Sequence, residues 1–173
     1  FEDASRAQTE IYAQYADDAW NKIAKIYAIP QDKTDVYVTA RTNTVNAFTF
    51  FVPPEIMMFT TPLSIPDFGF RDNWQKLFFT HELVHIANVQ FEDKKYVASK
   101  LFGQYVRAFD MNNMPGWALE GLTTVMETEL TDGGRGRSPY FELLYKAPTL
   151  DNAFMSYTDV GTEQEPPRGQ AYV

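Results

Sequence analysis

The stretch His81-Glu82-Leu83-Val84-His85 carries both histidines of the chain, four residues apart, with a glutamate directly after the first. On a helix, residues i and i+4 project from one face, so two imidazole nitrogens can be presented to a single metal ion. Glu82 falls on the rim of that face, where it is placed to take a proton from a water that such an ion activates. The plainer alternative is a pair of core histidines that satisfy each other or nearby backbone. The HExxH spacing, built from the only two histidines present, favours the metal.

The flanking residues predict a helix around the motif. Asp72 with Gln75 reads as a capping box, and Trp74, Leu77, Phe78, His81, Val84, His85 and Asn88 follow at helical spacings. A second apolar row, Phe79, Leu83 and Ile86, predicts burial nearly all round. Upstream the period changes. Val36, Val38 and Ala40 alternate with Tyr37 and Thr39, and two further β-rich runs, 45–51 and 56–59, are bounded by Asn43, Pro53-Pro54 and Pro62.

The run 55–60 comes last before the metal helix, and its flanking prolines suit a sheet edge. An edge strand can pair with an extended peptide, which makes Ile56, Met57 and Met58 the candidate substrate-binding residues; an ordinary strand with one buried face is the alternative. Residues 62–71 read as a Pro/Gly-rich connection. Nearer the start, Ser5 with Gln8 resembles a capping box. Ala4, Ala7, Ile11, Tyr15, Ala19, Ile23 and Ile26 then mark one side of a long amphipathic helix that stops before Pro30. Its charged residues, Asp17, Asp18, Lys22 and Lys25, read as a solvated face.

Downstream, residues 93–109 form an expected helix with Val97, Leu101, Tyr105 and Ala108 on one side. Pro115-Gly116-Trp117-Ala118-Leu119-Glu120-Gly121 opens another, which runs to the stop at Gly133-Gly134. Glu120 shares one face of this apolar helix with Trp117, Thr124 and Glu127. A buried carboxylate needs a partner, and a metal is one of the few that suffice; without the histidine pair, solvent-facing glutamates would be the reading. Glu120 and Glu127 stand about 10 Å apart along the axis, so one ion cannot take both. Glu120, beside Gly121 near the helix start, is assigned to the metal. Glu127 is assigned to orienting a histidine N–H, with Thr124 supporting it from the same face.

Composition bounds the alternatives. A chain of 173 residues, 45% hydrophobic and 16% aromatic, is expected to be one globular domain. The net charge of −8 argues against nucleic acid or an anionic membrane as main partner. With no cysteine, only His and carboxylate remain as zinc ligands. No apolar run reaches the roughly 18 residues of a membrane span. Phe1-Glu2-Asp3 lacks the features of a signal peptide, and the missing initiator Met suggests that a targeting segment has been removed. An extracytoplasmic location, periplasmic or secreted, is therefore expected, with the cytoplasm as the alternative.

With HELVH followed by a helix carrying W-x-x-E-G, the chain resembles the gluzincins, zinc peptidases of the thermolysin and aminopeptidase N type, and particularly bacterial peptidase MA-like domains. The resemblance runs from the strand near Asn46 to the loop Gly134-Arg135-Gly136-Arg137-Ser138. It implies Zn2+ held by His81, His85 and Glu120, with Glu82 as general base. Leu119 stands where aminopeptidase N relatives carry Asn, so an endopeptidase is implied. Gluzincins stabilise the oxyanion with a downstream Tyr or His; here Tyr140 and Tyr157 are the candidates, packing tyrosines being the plainer reading. Arg135 and Arg137 are candidates for holding a substrate carboxylate, or else a Gly/Arg surface loop.

In related peptidases further helices follow the polar tail 161–173. The expectation is thus a single zincin-like catalytic domain over 1–173, without its C-terminal helices. Its class is α+β: a small mixed sheet packed on the HExxH helix and a second glutamate-bearing helix, with a long N-terminal helix. The expected activity is zinc-dependent hydrolysis of a peptide or protein substrate. The rival is a zinc-stabilised binding or scaffold domain that keeps the site but cleaves nothing.

Overall fold

In the computed structural model, which describes residues 3–30, 33–44, 46–62, 74–91, 101–103, 105–106, 109 and 113–153, helices and a small mixed sheet make an α+β architecture. The elements run α1 (Arg6–Tyr27), β1 (Asp35–Thr39), β2 (Ala47–Phe51), β3 (Pro54–Phe59), α2 (Trp74–Gln90), α3 (Gly116–Leu130) and α4 (Pro139–Leu150). Short 3₁₀ turns stand at Asp3–Ser5 and Arg135–Arg137. No described helix is long and apolar enough to cross a membrane. The cap at Asp72, the connection after Pro62, most of the expected 93–109 helix, Tyr157 and the tail lie outside the described residues.

The sheet order is β1-β3-β2, with β3 parallel to β1 and antiparallel to β2. The expected edge strand is therefore the central one: Ile56 pairs with Val36 on one side and Thr49 on the other. The prolines mark a turn instead. Val52 and the cis-bonded Pro53 reverse the chain between β2 and β3, and Pro54 takes the first strand position, where its missing N–H is tolerated. Ile56 and Met58 are fully buried, while Met57 faces the opposite side between Tyr37 and Phe48. None of the three is free to pair with a substrate through its backbone. Among the described residues β2 is an edge, and it flanks α2.

The α2 helix forms the centre of the core. Leu77 and every residue from 79 to 89 are buried, against the sheet, α1 and α3. Its core partners include Val38, Ala47, Ile56 and Met58 from the sheet and Met126 from α3. Each buried Leu, Ile, Val or Phe side chain stabilises the fold by about 1.5–3 kcal/mol, so the histidines ride on the most firmly held element.

Helix α1 covers the other side through Tyr12, Ala19, Trp20 and Ile23. Ile26, expected on the buried row, is 58% exposed. From buried Ile23, a step of three to Ile26 falls about 60° short of a full turn, at the outer edge of the face of Ala19, Trp20 and Ile23. A step of four to Tyr27 overshoots by only about 40°, toward Trp20. At the last turn the inward position thus passes to Tyr27, whose hydroxyl donates to Asn88 Oδ1 at 2.7 Å. Ser5 does not cap the helix through its side chain. Its buried hydroxyl instead donates to Val38 O at 2.9 Å and ties the start of α1 to β1. The helix ends with Ala28 in the left-handed region at φ 53, before Pro30.

Candidate metal centre

Because α2 is enclosed, His81 and His85 are only 8% and 6% exposed. Water cannot satisfy their ring nitrogens freely. Glu120, one turn into α3, extends its carboxylate to both. His81 Nε2 lies 3.3 Å from Glu120 Oε2, His85 Nε2 lies 3.4 Å from Glu120 Oε1, and the two Nε2 atoms are 3.2 Å apart. The three groups form one possible metal-holding cluster. A tetrahedral zinc with ligand bonds of 2.0–2.2 Å requires donor atoms about 3.3–3.5 Å apart, so the observed triangle fits such an ion.

The outer nitrogens fix the direction of the lone pairs. His81 Nδ1 stands 2.9 Å from Glu127 Oε2, an ionised acceptor, and so carries the hydrogen. Thr123 Oγ1 donates to Leu119 O at 2.8 Å, which leaves its oxygen to accept from His85 Nδ1 at 3.4 Å. With both hydrogens on Nδ1, the two Nε2 lone pairs and a carboxylate converge on one point. Such an arrangement is repulsive unless a cation or a proton occupies it. Three carboxylates, Glu82, Glu120 and Glu127, share the site with one guanidinium, that of Arg135, and a divalent cation brings their formal charges to balance.

The titration behaviour of the metal-free site follows from the same geometry. Burial, the largest influence, pushes His81 down, but hydrogen bonds to Glu120 and Glu127 outweigh it and raise its pKa to about 9. Burial likewise works against ionised Glu120 and Glu127, yet His81 together with His85 or Arg135 holds both below the usual carboxylate range, Glu127 at about 2. Without metal, a proton thus occupies His81 Nε2. Its stabilising contribution is complete below the unperturbed pKa of 6.5 and is lost as pH rises through about 9. A zinc ion held by the cluster would compete for the same lone pair. Zinc uptake at pH 7.5 is therefore expected to release about one proton, and progressively less as pH passes 9. Calorimetry in buffers of different ionisation enthalpy checks this. Uptake without proton release at pH 7.5 would show that His81 is already neutral.

The cleft beside the triad, about 500 Å³, is lined by Asn46 and residues of β2, by Phe78, Glu82, Leu119 and Arg135, and by the three ligand candidates. Glu82 borders it, as its position after His81 predicts. Thr49 of β2 donates to Glu82 Oε2 at 2.6 Å and fixes the carboxylate. Sequence reasoning did not find Thr49; its only signal was an inward position in the alternation of β2.

Glu127, expected to face a histidine N–H, stands against His81. Thr124, proposed beside it, has a buried hydroxyl with no hydrogen-bond partner among the described residues. Thr123 is the threonine that meets the second histidine: it and Thr124, at i+3 and i+4, both neighbour Glu120, and the packing of α3 on α2 brings Thr123 to His85.

Arg135 lines the cleft, with its guanidinium engaged by a carboxylate of the chain. It is paired with Glu127 through Nε at 2.9 Å and Nη2 at 3.0 Å. Arg137 Nη1 donates to the carbonyls of Thr128, Thr131 and Gly133 at the end of α3, which stops at Leu130, before the expected glycines. Tyr140, 38% exposed at the start of α4, meets Phe141 edge to face and is not among the cleft-lining residues. No protein-family profile, curated protein or solved structure matches this chain.

Proposed function

We propose that the chain is a zinc metallopeptidase domain of the gluzincin type, with a zincin-like fold, acting on peptide or protein substrates. The observation that carries this reading is the convergence of His81 Nε2, His85 Nε2 and a Glu120 oxygen at 3.2–3.4 Å, beside a glutamate carboxylate in an open cleft. A zinc ion held by these groups would supply Lewis acidity, activating a water and polarising a peptide carbonyl.

The chain's own residues do the rest. Glu82, held by Thr49, accepts the water's proton and returns it to the departing amine. An extended peptide pairs with the backbone of β2, the edge strand beside the site, in place of the β3 segment favoured by sequence. Phe48, Phe51, Phe78 and Leu119 give the cleft apolar walls suited to apolar substrate side chains.

Digestion of a peptide library with and without chelator tests the proposal. Internal cleavages that stop on chelation and return when zinc is restored are expected. A chain that binds zinc but cleaves nothing would favour the non-catalytic binding domain.

A further inference from the structure

The segment Gly134-Arg135-Gly136-Arg137 lies outside the ligand triad and reaches the cleft through Arg135 alone, yet it makes a dense set of polar contacts beside the site. Glu127 is fully buried, and its carboxylate collects the backbone N–H of Arg135 at 3.1 Å and Nε at 2.9 Å on Oε1. Oε2 collects Arg135 Nη2 at 3.0 Å and His81 Nδ1 at 2.9 Å. Arg135 Nη2 and His81 Nδ1 approach to 2.8 Å because both donate to that one oxygen. Three N–H groups of Arg135, spread over both oxygens, thus fix the carboxylate's rotation.

The loop is itself clamped on both sides of Arg135. Gly134 adopts φ +105, and a Cβ there would lie 2.5 Å from Thr128 Oγ1 and 2.6 Å from Thr128 Cα. Only glycine permits this approach. The N–H of Gly136 donates to Thr128 Oγ1 at 3.2 Å, and Arg137 holds the carbonyl of Thr128 in α3 and those of Thr131 and Gly133 just beyond it. The two glycines set the path, one arginine fastens the loop to α3, and the other delivers its planar fork to Glu127.

We propose that Arg135 is a positioning residue for the metal site, which fixes the orientation of His81 through the Glu127 carboxylate. This rests on the metal reading above and extends it to a loop outside the ligand set. A lysine keeps the charge but not the two-pronged geometry, so it separates position from charge.

The test is a double-mutant cycle read as zinc affinity at fixed pH, by competition with a chromophoric chelator, in parent, Arg135→Lys, Glu127→Gln and the double variant. Urea denaturation of each metal-free form and the visible spectrum of each Co2+-loaded form accompany it. Arg135→Lys is expected to weaken zinc binding roughly 10–100-fold and to shift the Co2+ bands, as loss of an outer partner does. In the Glu127→Gln background it should add less than about twofold, because the effect passes through Glu127.

Parent affinity in Arg135→Lys, or an equal loss in both backgrounds, overturns the inference. So does a loss of metal-free stability with unchanged affinity. Arg135→Gln is carried alongside, and if neither variant folds, Arg135 belongs to the fold alone and the inference falls. A parent chain that takes up no zinc sinks the metal reading and this inference together, whereas a zinc-binding parent without coupling sinks only the inference.

Discussion

Glu82→Gln is expected to lower peptide hydrolysis by about 10²–10⁴-fold, the range for removing a general base, while zinc affinity stays within about twofold of the parent. The amide matches the carboxylate in size, and its oxygen can still accept the Thr49 hydroxyl that now holds Oε2 at 2.6 Å. Packing around this 8% exposed side chain is therefore retained. What is lost is the ability to take a proton. Initial rates on a quenched peptide, with zinc content measured on the same samples, separate the two effects. Cleavage near the parent rate would remove Glu82 from the mechanism.

Glu120→Ala and Glu127→Ala should fail in opposite ways. Glu120 is 35% exposed at the cleft, and its carboxylate faces both Nε2 atoms. Its removal is expected to weaken zinc binding by more than the roughly 10–100-fold typical of an outer partner, with a smaller loss of metal-free stability than removal of the fully buried Glu127. Glu127 is fully buried and paired with Arg135. Its removal strands a guanidinium and is expected to cost about 3–5 kcal/mol of stability, with the smaller effect on zinc. Zinc competition titrations and urea denaturation on both variants check this. Parent-like affinity in Glu120→Ala would refute the His-His-Glu site.

What could be read from sequence was whatever lies within one element. The i, i+4 spacing of His81 and His85, the buried character of α2 and the shared face of Glu120 and Glu127 are all consequences of helical period, which sequence encodes directly. The α+β class followed from the change of period near Asp35. Relations between elements were not legible.

Whether β3 lies at the edge or the centre depends on how a turn at Val52-Pro53 folds the chain back, and prolines at both ends suit either outcome. Thr123 and Thr124 are adjacent on α3, and only the packing of α3 on α2 decides which of them meets His85. Thr49 reaches Glu82 across 33 residues, and Arg135 reaches His81 across 54. No local pattern marks such pairs. The Gly-Arg-Gly-Arg run signalled a special loop, but its partner could be found only once α3 had been placed.

The central claim, that His81, His85 and Glu120 together hold one zinc ion, is tested most directly by zinc-edge anomalous diffraction from crystals of the purified chain supplied with zinc at neutral pH. The account predicts about one zinc per chain and a single anomalous peak within bonding distance of both Nε2 atoms and the Glu120 carboxylate. No peak there at saturating zinc, or a peak held by other residues, would contradict it.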